Sequence, residues 1–418
     1  MARKMKDSGI EWIGEIPEGW ELLKAKYLFS QRNEKGNSTP VLLSPTQKYG
    51  VIPQSQLEGV VKVKENTDLQ TFKTIHSGDF VISLRSFQGG FEFSNYEGVC
   101  SPAYQVFYTT KDLSNDFFRY LFKSDGFISK INSLTVGIRE GKNIQYVDFS
   151  NMLLAVPPKE VQLRSAQYLN VKCSEIDAML SKTSASIEEY KKLKQAVITQ
   201  AVTKGVRGER AMKDSGIEWI GEIPNEWECI KLKYLFTIKK RIAGKEGYTV
   251  LSITQTGIKP KNISSNEGQL ADNYSNYQLL YFGEFAMNHM DLLTGWVDIS
   301  NYNGVTSPDY RVFSLKDTIS NHPKYFLYLM QMFYFNRIFY SMAQGVSNLG
   351  RWRLQSDKFL NCTLPVPLFD EQKEIADYLD AKCAEIDGLI AKKEQLVKEL
   401  ESYKKSLIYE VVTGKREV

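Results

Sequence analysis

Arginine, lysine and amide side chains recur in short clusters whose chemistry suits the reading of DNA bases. A guanidinium or carboxamide can form two parallel hydrogen bonds with one base edge in the major groove, and neighbouring lysines can contact phosphates. Each of these residue types is also common on solvated surfaces, so the prediction depends on the clusters and not on one member. The candidates in the first half of the chain are Arg85, Ser86, Gln88, Arg139, Lys142 and Asn143, and those in the second half are Lys239, Lys240, Arg241, Asn288, His289, Asn348, Arg351, Trp352 and Arg353.

Two stretches come close to catalytic motifs without matching them. Gly137 is separated from Gly141 by three residues, where a phosphate-binding loop has four, and Asn143 replaces the Ser or Thr of that loop. Glu140-x-Lys142 could form half of a nuclease site, but a charged surface loop explains the same residues more simply.

Other catalytic signatures are missing. The three histidines are scattered outside any H-E-x-x-H, and no G-x-S-x-G is present. The double proline in Val156-Pro157-Pro158-Lys159 does not fit the N/D-P-P-aromatic motif of a cofactor-binding methyltransferase. The sequence therefore predicts a binding protein with no catalytic residue, cofactor or metal of its own.

The elements that must position the candidates belong to a tandem duplication. The segment Met5–Phe29 returns at Met212–Phe236, an offset of 212 − 5 = 207 residues that is half of the chain. Because repeats of this length are domain-sized, the duplication sets the architecture. Only five of the 25 aligned positions differ: Glu18/Asn225, Gly19/Glu226, Leu22/Cys229, Leu23/Ile230 and Ala25/Leu232.

The end of each half is also repeated, whereas the middle has diverged. Lys172–Asp177 reads KCSEID and Lys382–Asp387 reads KCAEID, at an offset of 210. Between the repeated ends only scattered anchors remain, such as Ser101-Pro102 with Ser307-Pro308. We infer one scaffold, kept twice, that carries two different surfaces.

Each repeated end is predicted to form one long helix. Apolar positions recur at alternating spacings of three and four residues from Ala166 to Ala201, and again from Ala376 to Val411, which is the pattern of a heptad seam. The first stretch has 36 residues, or roughly 54 Å of helix, and Gly205 and Gly414 are placed to end the two helices. The central seam positions are Leu169, Cys173, Ile176, Leu180, Thr183, Ile187, Leu379, Cys383, Ile386, Ile390, Lys393 and Val397.

The two stripes match each other, so we expect the helices to pair as an antiparallel coiled coil within the chain. A pseudo-twofold axis between the halves would bring the midpoints Thr183 and Lys393 close together. Polar seam residues can fix the register of a coiled coil at a cost in stability. Equally, Lys393 could extend out of the seam towards water.

The diverged middles are predicted to be α/β (α+β) domains. Strands are expected at Gly78–Leu84 and Tyr104–Tyr108, and helices at about Ser114–Lys123 and Pro323–Met342. The predicted fold is thus two pseudo-symmetric α/β domains separated by two long helices. The expected boundaries are domain 1 at 1–157, helix 1 at 158–205, domain 2 at 206–366, and helix 2 with the C-terminal tail at 367–418.

Composition places weaker limits on the partner and the cellular location of the protein. The chain has 418 residues, of which 42% are hydrophobic, and its net charge of +4 is compatible with a DNA partner without establishing one. The five cysteines are odd in number and form no C-x-x-C, which favours reduced thiols in the cytoplasm without structural zinc. We expect no signal peptide, because no apolar region follows the basic N-terminus, and no membrane span.

These motifs resemble those of the DNA specificity subunits of type I restriction-modification systems, and the resemblance covers essentially the whole chain. The resemblance rests on the two D-S-G-I-E-W-I-G-E-I-P segments (Asp7–Pro17 and Asp214–Pro224) and on the C-x-E-I-D heptads. It also rests on proline followed by E/D-x-Q before each long helix (Glu160-x-Gln162 and Asp370-Glu371-Gln372) and on the terminal V-T-G-K. Each motif is weak alone, but their order, repeated twice, is specific.

The resemblance implies two target-recognition domains, each reading one half of a bipartite, asymmetric DNA site, with the helix pair as a spacer. Since one turn of DNA spans about 34 Å, a spacer of about 54 Å would hold the readers somewhat more than one turn apart. The implied partners are double-stranded DNA, two methyltransferase subunits that bind S-adenosylmethionine, and nuclease-translocase restriction subunits. The chain itself would be non-catalytic and would also serve as a docking platform for the methyltransferase subunits.

Two other classes of protein remain as alternatives. A stand-alone bivalent repressor or architectural protein would bind DNA tightly without partners. A fused methyltransferase-specificity enzyme would need cofactor motifs that the sequence lacks.

Overall fold

The computed structural model describes residues 3–36, 41–57, 69–134, 144–263, 271, 273–345 and 352–418. The chain divides into two compact units: unit 1 comprises Met1–Ser184 with Glu394–Val418, and unit 2 comprises Ala185–Lys393. The division runs through both long helices, so each unit holds one α/β domain together with a portion of each helix. The expected boundaries, by contrast, treated the helices as segments separate from the domains.

In the first half of the chain, the described residues form short strands, four short helices and the first long helix. Short 3-10 turns lie at Ala25–Tyr27, Gln54–Gln56 and Leu69–Thr71. The strands and helices are β1 (Met5–Asp7), β2 (Glu15–Pro17), β3 (Glu21–Lys24), β4 (Phe29–Arg32), β5 (Leu43–Thr46), β6 (Gly50–Pro53), β7 (Lys73–Ile75), β8 (Phe80–Ile82), α1 (Ser86–Gly89), β9 (Glu92–Phe93), β10 (Gly98–Cys100), β11 (Gln105–Thr109), α2 (Asn115–Leu121), α3 (Asp125–Ser133), α4 (Tyr146–Ser150), β12 (Leu153–Val156) and α5 (Lys159–Lys204).

The second half repeats this order with local changes. Its elements are β13 (Met212–Asp214), β14 (Glu222–Pro224), β15 (Glu228–Lys231), α6 (Leu232–Leu235), β16 (Phe236–Lys239), β17 (Leu251–Thr254), β18 (Gly257–Pro260), β19 (Gln278–Leu280), β20 (Phe285–Met287), β21 (Val297–Ile299), β22 (Gly304–Thr306), β23 (Arg311–Leu315), α7 (Pro323–Phe335), α8 (Ile338–Ser341), β24 (Gln344–Gly345), β25 (Trp352–Arg353), α9 (Ser356–Asn361), β26 (Thr363–Val366) and α10 (Phe369–Val412).

The centre of each unit is a four-stranded antiparallel sheet, ordered β4-β11-β8-β9 in unit 1 and β16-β23-β20-β21 in unit 2. Smaller two-stranded sheets surround it, among them β12-β3 and β15-β26, which join the two ends of each domain. The core of each central sheet is aromatic, and one stacked pair of rings occurs in both. Phe80 and Phe107 stack with centroids 5.3 Å apart at 19°, and Phe285 and Phe313 stack at 5.3 Å and 21°. The α/β class and the pseudo-symmetry of the halves are therefore confirmed.

The opening segment of each half folds as a tight hairpin, which explains its D-S-G motif. In unit 1 the carboxylate of Asp7 accepts a hydrogen bond from the amide of Gly9 (3.0 Å), and β1 pairs with β2. Gly9 has φ +64°, a left-handed conformation that glycine adopts without steric cost. Asp214 and Gly216 repeat the bond at 2.9 Å. The motif is therefore a structural turn of the scaffold.

The helices that follow the central sheet differ between the units. The first begins as expected, because the hydroxyl of Ser114 caps α2 by accepting from the amide of Phe117. In unit 2 a single helix from Pro323 to Met342 was expected, but α7 ends at Phe335 and α8 begins at Ile338. The interruption lies at Arg337, whose φ of +58° is left-handed, so the prediction of one continuous helix was wrong.

The long helices exceed the predicted stretch at both ends. α5 has 46 residues and α10 has 44, or roughly 69 Å and 66 Å of helix. Gly205 and Gly414 end them with φ of +77° and +74°. A Cβ atom on Gly205 would lie 3.3 Å from the ring of Trp227, and one on Gly414 would lie 2.9 Å from the ring of Trp20. Glycine therefore both ends each helix and lets it pack against a buried tryptophan.

The helix portions within each unit run antiparallel. In unit 1 the ammonium of Lys404 lies 2.6 Å from the carboxylate of Asp177, and Tyr168 bonds with Arg416. In unit 2 the duplicated pair Lys194 and Asp387 also lies at 2.6 Å. All twelve predicted seam residues are buried or half-buried. The ion pairs are exposed and contribute at most about 1 kcal/mol each, so burial of the apolar seam supplies most of the pairing energy.

The polar seam residue Lys393 makes a defined contact inside unit 2. Its ammonium lies 5.6 Å from the centroid of the Tyr190 ring, which is cation–π geometry. Whether Lys393 and Thr183 together fix the register stays a prediction, because these residues belong to different units.

A buried glutamine joins each domain to its long helix. The carboxamide of Gln162 accepts from the amide of Ser114 (2.9 Å) and donates to the carbonyl of Pro157 (2.9 Å). Gln372 makes the same pair of bonds with His322 (2.8 Å) and Pro367 (2.9 Å). Both side chains are 1% exposed. The proline-to-glutamine spacing seen in the sequence thus fixes the start of each long helix against the first domain helix after the central sheet.

Candidate nucleic-acid interface

The first candidate surface in each unit is a turn that leaves the central sheet. In unit 1 the turn follows β8 and contains α1, and in unit 2 it follows β20 and spans 288–295. Gly90 ends the first turn with φ +75°, and a Cβ atom there would lie 1.9 Å from the carbonyl oxygen of Phe122. Only glycine fits this position, so the turn is held close against the domain helices.

In unit 1 the turn presents two of the three predicted side chains to solvent. Arg85 and Gln88 are exposed. Ser86 is only 1% exposed, and its hydroxyl accepts from the amide of Ser83 (2.8 Å). Ser86 is therefore a structural residue of the turn, and we do not retain it as a DNA contact.

The equivalent turn in unit 2 uses its predicted residues internally. The carboxamide oxygen of Asn288 accepts from the amides of Met290 and Asp291, both at 3.2 Å. His289 is 6% exposed, and burial lowers the pKa of its imidazole to about 3, so the ring stays neutral. A neutral buried ring cannot attract a phosphate, and His289 also leaves the set of candidate contacts.

A hairpin tip lies against each turn, and sequence reasoning missed it. A Cβ atom on Gly89 would lie 2.8 Å from the side chain of Gln47 at the β5–β6 tip. The equivalent Gln255, at the β17–β18 tip, donates to the carbonyl of Thr294 (3.3 Å). The exposed neighbours at the two tips are Lys48, Tyr49, Thr254 and Thr256. A polar turn with Lys and Tyr before Gly50 was the available sequence signal.

The remaining loop candidates predicted from the sequence lie in the segments before α4 and α9. Arg139, Lys142, Asn143, Asn348 and Arg351 lie outside the described residues. Trp352 and Arg353 form β25, which pairs with Gln344–Gly345, and Arg353 is exposed. The chain after β25 returns towards the turn of unit 2, since the amide of Leu354 donates to the carbonyl of His289 (3.0 Å). Two of the predicted segments of unit 2 are thus adjacent.

The basic run Lys239–Arg241 is only partly available for binding. Lys240 is exposed, and Lys239 is half-buried on β16. Arg241 pairs with the carboxylate of Glu284, and its guanidinium lies 4.6 Å from the ring centroid of Tyr281. Arg241 therefore has a structural role within unit 2, and only Lys240 is free of the sheet.

Beneath the turn of unit 1, the half-buried Lys123 pairs with the buried Glu92. Lys123 donates to the carbonyl of Gly89 (2.8 Å) and to the carboxylate of Glu92 (2.7 Å). Glu92 is 2% exposed, and burial raises the pKa of its carboxyl to about 7. The charged form of Glu92 is thus less favourable in the folded protein than in the unfolded chain.

This raised pKa predicts that unit 1 loses stability as the pH rises. The folded pKa lies above the unfolded value of about 4.5, so the stabilising contribution is complete below pH 4.5 and disappears as the pH passes 7. We expect Glu92→Gln to raise the stability at pH 8 by about 1–3 kcal/mol and to change it little at pH 4.5. Thermal unfolding of both proteins at several pH values measures this. The exposed Glu18→Gln is the control, and an equal gain at both pH values would contradict the assignment.

A groove of about 1030 Å³ lies within unit 2, and the charged side chains in its lining are Lys191, Lys194, Lys324, Arg337, Asp380 and Asp387. Asp380 and Asp387 line it, and each already pairs with a lysine, Lys324 or Lys194. Among the described parts of the chain, no group of three or more His, Cys, Asp or Glu residues could hold a metal ion. No helix within those parts is both long and apolar enough to cross a membrane.

The geometry defines a class of protein: a duplicated α/β protein in which each unit combines a central antiparallel sheet with a portion of each of two long helices. The model of the Type I restriction modification DNA specificity domain matches residues 224–399. Over 426 residues the chain is 24% identical to the type I restriction enzyme MjaVIII specificity subunit of Methanocaldococcus jannaschii, covering 96% of this chain and 93% of that protein. It is 23% identical to a putative MjaX specificity subunit from the same organism, covering 96% and 95%.

Solved structures share the fold. A chain from a study of complex assembly and conformational transition of the type I R-M system aligns with a TM-score of 0.67 at 14% identity, covering 96% of this chain and 99% of that one. The HsdS subunit from Thermoanaerobacter tengcongensis aligns with a TM-score of 0.51 at 14% identity, covering 96% and 98%. Over nearly its whole length the chain is therefore similar to specificity subunits of type I restriction-modification systems, and residues 224–399 match their DNA specificity domain.

Proposed function

We propose that each unit of this specificity subunit reads one half of a bipartite DNA site. The observation that carries the proposal is that equivalent turns occupy the same place in both units but carry different side chains. Arg85 and Gln88 are exposed in unit 1, whereas Leu293 is exposed on the turn of unit 2. Two turns with the same position but different exposed side chains are suited to two different half-sites.

The proposed contacts of unit 1 are Arg85 and Gln88 on the turn and Lys48 and Tyr49 on the hairpin tip. Those of unit 2 are Lys240, Arg353, Thr254 and Thr256. The arginines and amides suit base edges, and the lysines suit phosphates. Arg139, Lys142, Asn143, Asn348, Arg351 and Trp352 remain candidates from the sequence.

The proposed partners are methyltransferase and restriction subunits. In this assembly the chain supplies sequence specificity and is not itself an enzyme, and S-adenosylmethionine binds to the methyltransferase subunits. The long helices are the proposed spacer and docking platform. The full-length match to specificity subunits favours this role over a stand-alone repressor.

Co-expression with the neighbouring methyltransferase, followed by mapping of methylated adenines, tests the proposal. We expect a two-part motif with a fixed gap. A contiguous motif, or no new methylation, would contradict the proposal. Tight, sequence-specific DNA binding by the purified chain alone would favour a repressor instead, and binding of S-adenosylmethionine by that chain would indicate an enzyme.

A further inference from the structure

One buried polar residue lies at the same place in the central sheet of each unit. Gln105 begins β11 and Arg311 begins β23, at an offset of 206. Gln105 pairs with Ile82 and Arg311 pairs with Met287, the last residues of β8 and β20. The two side chains are 9% and 4% exposed. Both therefore lie under the point where the candidate turn leaves the sheet.

Arg311 donates hydrogen bonds to the segment that follows β25. Its guanidinium donates to the carbonyl of Leu354 (2.9 Å) and to the hydroxyl of Ser356 (3.3 Å), and it lies 4.6 Å from the ring centroid of Phe359. No carboxylate of the described residues is among the groups that act on the charge of Arg311. Burial lowers its pKa to about 10, so it still carries its charge near neutral pH.

Gln105 makes the equivalent hydrogen bonds in unit 1, but its side chain is neutral. Its amide nitrogen donates to the carbonyl of Ile144 (3.3 Å) and to the side chain of Gln145 (3.0 Å). Its oxygen accepts from the amide of Tyr146 (2.7 Å). Ile144 and Leu354 are equivalent at an offset of 210, so the same backbone position is held in both units.

A buried arginine that is not paired with a carboxylate contributes little to the stability of a core. Removing a charge from water is strongly unfavourable unless an opposite charge offsets it, and replacement by an apolar residue of similar volume is often neutral or stabilising. The hydrogen bonds of Arg311 instead connect three segments: β23, the chain after Arg353, and, through the bond from Leu354 to His289, the turn after β20. The second segment directly follows Arg353, a proposed contact, and the third is the turn whose exposed side chains differ between the units.

We infer that Arg311 in unit 2 and Gln105 in unit 1 are positioning residues for DNA recognition, each aligning the turn after the sheet with the segment before α9 or α4. The inference rests on the proposed function and extends it to buried residues that do not touch DNA. It also assigns the two units different alignments, because a guanidinium and a carboxamide hold the same backbone position from different distances and angles.

The test uses the chain in complex with its methyltransferase. The variants are Arg311→Met, Arg311→Gln, which copies unit 1, and Arg311→Lys. Methylation rates are measured on the full site and on sites with one base changed in either half, after exchange of one unit has assigned each half-site. For Arg311→Met we expect discrimination to fall about 10-fold in the half read by unit 2 and to stay unchanged in the other half.

Three controls separate positioning from a purely structural role. Arg311→Lys keeps one donor and should retain more discrimination than Arg311→Met. Gln105→Leu should affect only the other half-site. The exposed Lys358→Gln removes a charge from α9 and should change neither half.

The thermal midpoint of Arg311→Met should stay within a few degrees of wild type. A large fall in that midpoint together with an equal loss on both halves would overturn the inference and assign Arg311 a structural role. Unchanged discrimination in both halves would also overturn it. Failure of the proposed function looks different, because the wild-type complex would then show no bipartite motif. If the Met variant does not fold, the Gln and Lys variants carry the same comparison.

Discussion

Replacing Trp20–Val156 with the equivalent domain of another specificity subunit is expected to change one half of the methylated motif and to leave the other half and the gap unchanged. The proposed contacts of unit 1 all lie inside this segment. Its ends pair with each other, since Leu154 of β12 lies opposite Leu23 of β3, so the graft carries its own closing sheet. Methylation of the original site should fall at least 100-fold, because several mismatched base pairs at about 1–3 kcal/mol each accumulate.

The chain supplies its own matched control for this exchange. Trp227–Val366 can replace Trp20–Val156, because β15 and β26 close the second domain in the same way. The resulting chain has two copies of one reader. If a pseudo-twofold relates the halves, its motif should be an inverted repeat of the second half-site. A direct repeat would contradict the pseudo-twofold, and a motif with both original halves would contradict recognition by these domains.

Replacing the buried glutamine before either long helix is expected to destabilise the unit that contains it by about 2–4 kcal/mol. Gln162→Leu leaves the amide of Ser114 and the carbonyl of Pro157 without partners, and each unsatisfied buried group costs about 1–3 kcal/mol. Urea unfolding measures the loss, and hydrogen exchange at the start of α2 locates it.

The duplication provides an internal replicate of this result. Gln372→Leu removes the same two bonds from unit 2, to His322 and Pro367, and should give a similar loss located at α7. Gln167→Leu, at an exposed position on α5, is the control and should change stability by less than about 0.5 kcal/mol. Equal effects of Gln162→Leu and Gln167→Leu would show that burial of the bonds is unimportant.

Much of the scaffold was predictable because its signals are periodic or repeated. The alternation of three and four residues from Ala166 to Ala201 indicates a helical stripe whatever the surroundings, and the structure extends it to Lys159–Lys204. The break at Arg337 was not predictable in this way. The residues around it are compatible with helix, and the apolar composition of Pro323–Met342 favoured one continuous element.

The candidate site was less predictable, because residue type does not determine exposure. Arg85 and Ser86 are adjacent in the sequence, yet one faces solvent and the other caps the turn from inside. Arg241 and Lys240 divide in the same way, since Glu284 engages the arginine. Glu92 and Lys123 are 31 residues apart, and no local pattern relates them.

The sequence by itself determined the duplication, the α/β class, the paired long helices and the resemblance to specificity subunits. Local periodicity and near-identical repeats carry that information without long-range contacts. Only the tertiary structure decided which of the candidate polar residues are exposed, and it revealed Gln105 and Arg311 beneath the candidate turns. The reason is physical: burial and hydrogen bonding depend on residues brought together from distant parts of the chain, as Arg311 and Leu354 are across 43 residues of sequence.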